Sequence, residues 1–205
     1  MNFAETLKTI LANRQPAVTV EWNARPAAVL VPLYRNDGEW HLLFTQRTDD
    51  VDEHKGQVSF PGGKIDPEDE SPERAALREA EEEIGLRRDD VAVIGRLDSL
   101  ITVTQWHITP VVGILPFPYE FVINPKECSA VFGVPLAWLA DPANLETRYR
   151  QPPVAGPPVP VYYYKDWDGH VIWGATARMT RMFLDLIAAA QGENWDADAK
   201  RADER

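Results

Sequence analysis

Between Pro72 and Gly85 the chain places Glu79, Glu82 and Glu83 on what its pattern reads as one α-helix. Each helical residue advances by about 100°, so Glu79 and Glu83 stand one turn apart with Glu82 beside them. Leu77, Ala80 and Ile84 fall on the opposite side and form the expected buried stripe. Like charges at this spacing destabilise an isolated helix by roughly 0.2–0.5 kcal/mol per pair. Arg78 can reach Glu82, but one cation does not neutralise three anions. Hard divalent cations take carboxylate oxygens, so the helix reads as a platform for magnesium.

The helix is well bounded. Ser71 can cap it, Pro72 suits its first position, and Glu73 suits the positive end of the dipole, while Gly85 stops it. Upstream, Phe60-Pro61-Gly62-Gly63 reads as a tight turn where backbone can approach a ligand. The phosphate loop GxxxxGK[ST] is absent, as are GxGxxG after a strand, GxSxG and HExxH. His41, His54, His107 and His170 are scattered rather than clustered.

The charge is concentrated around the same helix. Of a net −11 over 205 residues, residues 49–90 carry −9. Such an excess argues against nucleic acid or an anionic membrane as partner, since both favour basic surface. With 44% apolar and 26% charged residues the composition is globular, and the length suits one domain, here 1–192 with a polar tail over 193–205. Cys128 stands alone, which excludes an intramolecular disulfide and a cysteine-based zinc site. Residues 1–15 lack the apolar core of a signal peptide, and 108–123 is too short and proline-broken to cross a bilayer. A cytoplasmic protein is the expectation.

Other elements must position the acidic helix. The pattern predicts a helix over 3–13, strands over 25–34 and 39–47 around Asn36-Asp37-Gly38, and strands over 91–101 and 108–115. It further predicts a short helix over 135–139, a proline-rich loop over 151–160, a hairpin from 161–165 and 170–173, and a helix over 175–190. The order is mixed α and β rather than regular βαβ alternation.

Taken together, Gly63, Glu70, Arg78-Glu79, Ala80, Glu82-Glu83, Gly85 and Leu86 resemble the signature box of the Nudix hydrolases, here residues 63–86. Six residues separate Gly63 from Glu70 where five are usual, so Asp69 competes with Glu70, and Ala80 replaces a larger aliphatic residue. The flanks, Leu43-Phe44-Thr45-Gln46-Arg47, His54-Lys55-Gly56-Gln57-Val58-Ser59-Phe60-Pro61-Gly62-Gly63 and Ile172-Trp173-Gly174-Ala175-Thr176-Ala177-Arg178, resemble the coenzyme A pyrophosphatase subfamily. Phe44, Thr48 and Asp52 depart from its pattern, and Asp52 stands where a basic residue is usual.

The resemblance implies an α/β/α sandwich with a mixed sheet and a catalytic loop–helix–loop. It implies metal-dependent cleavage of coenzyme A into 3′,5′-ADP and 4′-phosphopantetheine, with Mg2+ or Mn2+ as cofactor. Glu79, Glu82 and Glu83 would hold the metal and Arg78 would orient them. The proton acceptor is either Glu82 or a downstream loop acid, for which Glu127 is the choice. Arg47 and Lys64 are candidate counter-charges for phosphate, His54 and Gln57 candidate hydrogen-bond donors, and Gly62 and Gly63 the close backbone approach. Trp106, Trp167 and Tyr162 to Tyr164 are candidate platforms for adenine or pantetheine, or simply core aromatics. A Nudix enzyme acting on NADH or ADP-ribose and a non-catalytic Nudix-fold module are the alternatives.

Overall fold

A computed structural model describes residues 2–19, 23–48, 56–151 and 157–191. Strands β1 (Arg25–Asn36) and β2 (Glu39–Arg47) form the predicted hairpin, with Asp37 and Gly38 both at positive φ, 48° and 88°. Two left-handed residues give the turn whose twist matches the strands it joins. Eight consecutive residues of β1, Ala27 to Tyr34, are buried, because both faces of this strand are covered.

Around the hairpin lie β3 (Val58–Ser59), β4 (Gly62–Lys64), β5 (Ala92–Arg96), β6 (Leu100–Ile101), β7 (Trp106–Ile114) and β8 (Cys128–Pro135). The sheet runs β3-β2-β1-β7-β5, with β4 on β1, β6 on β7 and β8 on β2. Only β1 and β7 pair in parallel, so the sheet is mixed. On one face, helix α2 (Pro72–Ile84) packs Ala75, Ala76, Ala80 and Ile84 against Ala28, Leu30, Leu43 and Val111. The other face is covered by α1 (Phe3–Ala12), α3 (Leu136–Ala140) and α4 (Gly174–Gln191), through residues such as Leu7, Leu136 and Phe183. This is the expected α/β/α sandwich. No described helix is long and apolar enough to cross a membrane.

Four predicted elements are corrected. The 91–101 strand is two strands, β5 and β6, parted where Asp98 pairs with Arg14 (2.6 Å) and the Ser99 N–H donates to the Ala17 carbonyl (2.9 Å). The tight turn before the box is the short strand β4, paired with β1. The arm Val161–Lys165 does not pair chiefly with His170–Trp173. It belongs to β10 (Val159–Tyr164), which lies against β9 (Leu145–Arg150), while the 170–173 arm contributes isolated bridges. Of the 151–160 loop, residues 152–156 lie outside the described residues, and Val159 and Pro160 are already in β10. The tail 193–205 also lies outside them.

Candidate active site

Helix α2 begins where Ser71 Oγ accepts the Arg74 N–H at 3.3 Å and ends at Gly85, in the left-handed conformation at φ 68°. Within it, Arg78 gathers three carboxylates. Its guanidinium donates to Asp69 (2.8 and 3.1 Å), Glu79 (2.9 Å) and Glu82 (3.2 Å), and to the Lys64 carbonyl at 3.0 Å. Asp69, rather than the exposed Glu70, is thus the acid that meets Arg78, and this hydrogen bond holds its carboxyl below the ordinary range.

Glu83 faces inward. It is 2% exposed, accepts the Gly62 N–H at 3.3 Å and lies 3.9 Å from Arg47 Nη1. Burial pushes its pKa up to about 8; the charges of Glu79 and Glu127 push the same way, against Arg47 and the Gly62 N–H. Glu79 is also raised, by burial first and then by Glu82 and Glu127, with Arg78 opposing. Its carboxylate fits because Gly63 has no side chain: a Cβ there would stand 2.6–2.7 Å from it. Glu82 stays half-exposed. The three acids share one side of α2 as predicted, but that side is not uniformly solvated, because β4 covers Glu83.

Glu127 joins the cluster from the turn just before β8, its charge acting on both Glu79 and Glu83. Asn124 fixes it twice, accepting the Glu127 N–H at its carbonyl (3.0 Å) and donating Nδ2 to Glu127 Oε1 (2.9 Å), while the Asn124 N–H donates to the Glu83 carbonyl at 2.8 Å. The pairing of β8 with β2 shifts register between Gln46 and Arg47, leaving Ser129 as an extra residue. Such a bulge re-aims the side chains beyond it. Here it moves Cys128 from the face of Phe132 to the core beneath α2, where burial and the Glu83 charge push its thiol up to about 12. Sequence reasoning missed Asn124, whose only signal was a turn-forming Asn-Pro pair ahead of the acid.

The remaining predicted residues divide. Arg47 lies within the cluster; its N–H donates to the Gln57 carbonyl at 3.0 Å, and its Nε is buried without a hydrogen-bond partner. Gln57 is therefore adjacent. Lys64 is not turned to the carboxylates of α2 but pairs with Asp66 at 3.1 Å. His54 and Asp52 lie outside the described residues. Trp106 sits beneath Arg25 (4.0 Å) and Trp167 against Trp138 (4.9 Å), while Tyr164 is core, so these aromatics are engaged elsewhere.

The donor set suits a hard divalent cation. Buried Glu83, half-buried Glu79 and Glu127 lie within electrostatic reach of one another, and all offer oxygen. Among the described residues no three acidic, histidine or cysteine side chains already converge as a metal cage. Binding should therefore draw them together and be visible as stabilisation. Magnesium at 100 times its Kd adds about 2.7 kcal/mol to the folded state, which for a chain of this size is roughly 5–10 °C in Tm. Calorimetric melts with and without millimolar magnesium measure this; an unmoved Tm would restrict metal binding to the substrate complex.

A model of the NUDIX domain matches residues 24–152, well over half of the chain. The chain belongs to the Nudix family. Over 165 residues this Nudix hydrolase is 39% identical to the uncharacterized Nudix hydrolase NudL of Yersinia pestis, with 80% of each chain covered. The same figures hold for NudL of Yersinia pseudotuberculosis. A MutT/nudix family protein from Enterococcus faecalis matches 94% of this chain and 75% of its own with a TM-score of 0.51 at 14% identity, a likeness of fold alone. As a Nudix hydrolase the chain acts on a nucleoside diphosphate derivative with a divalent metal ion.

Proposed function

We propose that this Nudix hydrolase splits coenzyme A or its derivatives into 3′,5′-ADP and 4′-phosphopantetheine, with magnesium or manganese held by Glu79, Glu82 and Glu83. The observation that carries the hydrolytic reading is the buried Glu83, within electrostatic reach of Glu79 and Glu127, with only Arg47 and Arg78 among the described residues to balance the three acids. A divalent ion bound there polarises the phosphoryl oxygens and lowers the pKa of a bound water. Arg78 keeps Glu79 and Glu82 in register with the Asp69 side of the loop. Glu127, steadied by Asn124, orients the attacking water and takes its proton, whereas Glu82 is already engaged by Arg78. Arg47 meets a substrate phosphate through the exposed part of its guanidinium, Gln57 and His54 supply hydrogen bonds, Lys64 adds charge at the rim, and Gly62 and Gly63 let the pyrophosphate approach.

The substrate assignment rests on the flanks. Of the three segments that resemble the coenzyme A pyrophosphatases, the last is more than a hundred residues beyond the other two, yet Thr176 Oγ1 donates to the Val58 carbonyl at 3.0 Å. They build one neighbourhood beside the box. Turnover of coenzyme A, acyl-coenzyme A, NADH and ADP-ribose with magnesium tests the reading, and a preference for NADH or ADP-ribose would overturn it.

Glu127→Gln removes the proton acceptor but keeps the Asn124 contact. Its expected effect is a fall in kcat of about 10²-fold or more with KM within a few-fold, read by steady-state kinetics. Unchanged kcat would return the role to Glu82.

A further inference from the structure

On the face of the sheet opposite α2, a groove of about 440 Å³ opens beside the β9–β10 hairpin. Its walls carry a stacked aromatic pair, Tyr163 and Trp173, with ring centroids 5.5 Å apart and planes within 7°. Two guanidinium groups lie over them, Arg148 at 4.3 Å from Tyr163 and Arg150 at 5.6 Å from Tyr163 and 5.7 Å from Trp173.

The charge balance of this groove departs from that of the chain. Arg148 is neutralised by Glu146 through two hydrogen bonds of 2.9 and 2.8 Å. Asp166, the other acid of the groove, accepts the Gly169 N–H at 2.8 Å and so closes its own turn. Among the described residues Arg150 meets the Tyr163 hydroxyl and the two rings and no carboxylate, and Lys165 has no carboxylate partner either. With Arg148 balanced by Glu146, Arg150 and Lys165 outnumber the single charge of Asp166, so in a chain of net charge −11 this rim is net positive beside a planar stack, a surface suited to an anion and a ring. Arginine stacks on flat π systems and binds phosphate by paired donors, and lysine adds a point charge.

The groove is connected to the reaction centre through α4 and β3. Trp173 immediately precedes α4, and Thr176, one turn on, holds Val58, four residues before Gly62. Along this path the chain covers one helical turn and four residues, at most on the order of 20 Å. The path runs around β3, an edge strand of the sheet.

We propose that Arg150 and Lys165, with the Tyr163–Trp173 stack, bind the phosphorylated adenosine end of the substrate, the ring against the aromatic wall and the ribose phosphate between the two cations. The inference rests on the coenzyme A reading above for its ligand, but its test does not need turnover. Adenosine 3′,5′-bisphosphate is titrated calorimetrically into the full chain in EDTA, so that no metal links it to the acidic cluster. Saturable binding is expected, weakening as salt rises and at least tenfold tighter than that of adenosine or of inorganic phosphate alone. Arg150→Gln/Lys165→Gln should weaken it at least tenfold, and Trp173→Leu should weaken adenosine and bisphosphate alike. In turnover the double variant should raise KM for coenzyme A more than it changes kcat. Equal affinity for bisphosphate and adenosine in the wild type, or unchanged affinity in a folded double variant, would overturn the site. Failure of the wild type to hydrolyse coenzyme A while the bisphosphate binds as described would sink the substrate assignment and leave this site standing.

Discussion

Glu83→Gln is expected to lower kcat by 10²-fold or more, about 2.7 kcal/mol of transition-state stabilisation, while making the metal-free protein more stable. The two effects have one origin. Glu83 is a carboxylate in a place that suits a carboxylate only when a cation is present. Its folded pKa of about 8 lies above the value near 4.3 of an unfolded glutamate. Between those values the unfolded chain releases a proton that the folded chain keeps. Stability of the wild type in EDTA therefore falls as pH rises through this window, by an amount on the order of a few kcal/mol. Gln keeps the shape and the acceptor for the Gly62 N–H but never ionises. The variant should melt above wild type at pH 8 and level with it near pH 4, and magnesium should stabilise the wild type far more. Melts in EDTA across pH, with turnover at saturating magnesium, check both halves. A variant less stable than wild type at pH 8 would mean that the attraction of Arg47 outweighs burial, and near wild-type turnover would remove Glu83 from the metal set.

That inward placement of Glu83 was the part of the site hardest to see beforehand. A helical wheel gives the azimuth of Glu79, Glu82 and Glu83 but not what stands opposite them. The neighbour is β4, whose pairing with β1 (Val29 with Gly62, Ala28 with Gly63) is a long-range register that no local pattern encodes. The ends of α2 were legible because Ser71 and Gly85 act through their own backbone. The β1–β2 turn was legible for the same reason. Strand β9 was not, since Leu145–Arg150 is exposed along most of its length, half of its residues are charged, and it buries no alternating face. Glu127 stood out only as an acid in a loop. Its approach to Glu79 and Glu83 depends on the Ser129 bulge and on Asn124, and both are properties of the assembled sheet. Residues that act through local geometry were readable; those delivered by pairing between distant strands were not.

The two glycines of β4 should separate these contributions experimentally, because alanine meets backbone at one and a carboxylate at the other. At Gly62 a Cβ would lie 2.4 Å from the Ala28 carbonyl oxygen and 2.5 Å from Val29 Cα, in the buried middle of β1, and the residue sits at φ +154°. Neither obstacle can move without opening the sheet. Gly62→Ala should therefore cost about 3 kcal/mol or more, from overpacking and backbone strain together. At Gly63 the φ is ordinary and the obstacle is the far end of the Glu79 side chain, 2.6–2.7 Å away, which can swing aside. Gly63→Ala should change stability by no more than about 1 kcal/mol, yet displace Glu79, a proposed metal ligand, by roughly an ångström, a shift that can cost on the order of 10² in rate. Urea denaturation sorts the two variants by stability, and turnover against magnesium concentration reads the displacement of Glu79. The expected pattern is a barely folded Gly62→Ala and a well-folded, slow Gly63→Ala that needs more magnesium for half-maximal rate. A Gly63→Ala enzyme with wild-type turnover and magnesium dependence would show that the close packing of Glu79 on β4 has no part in holding the metal.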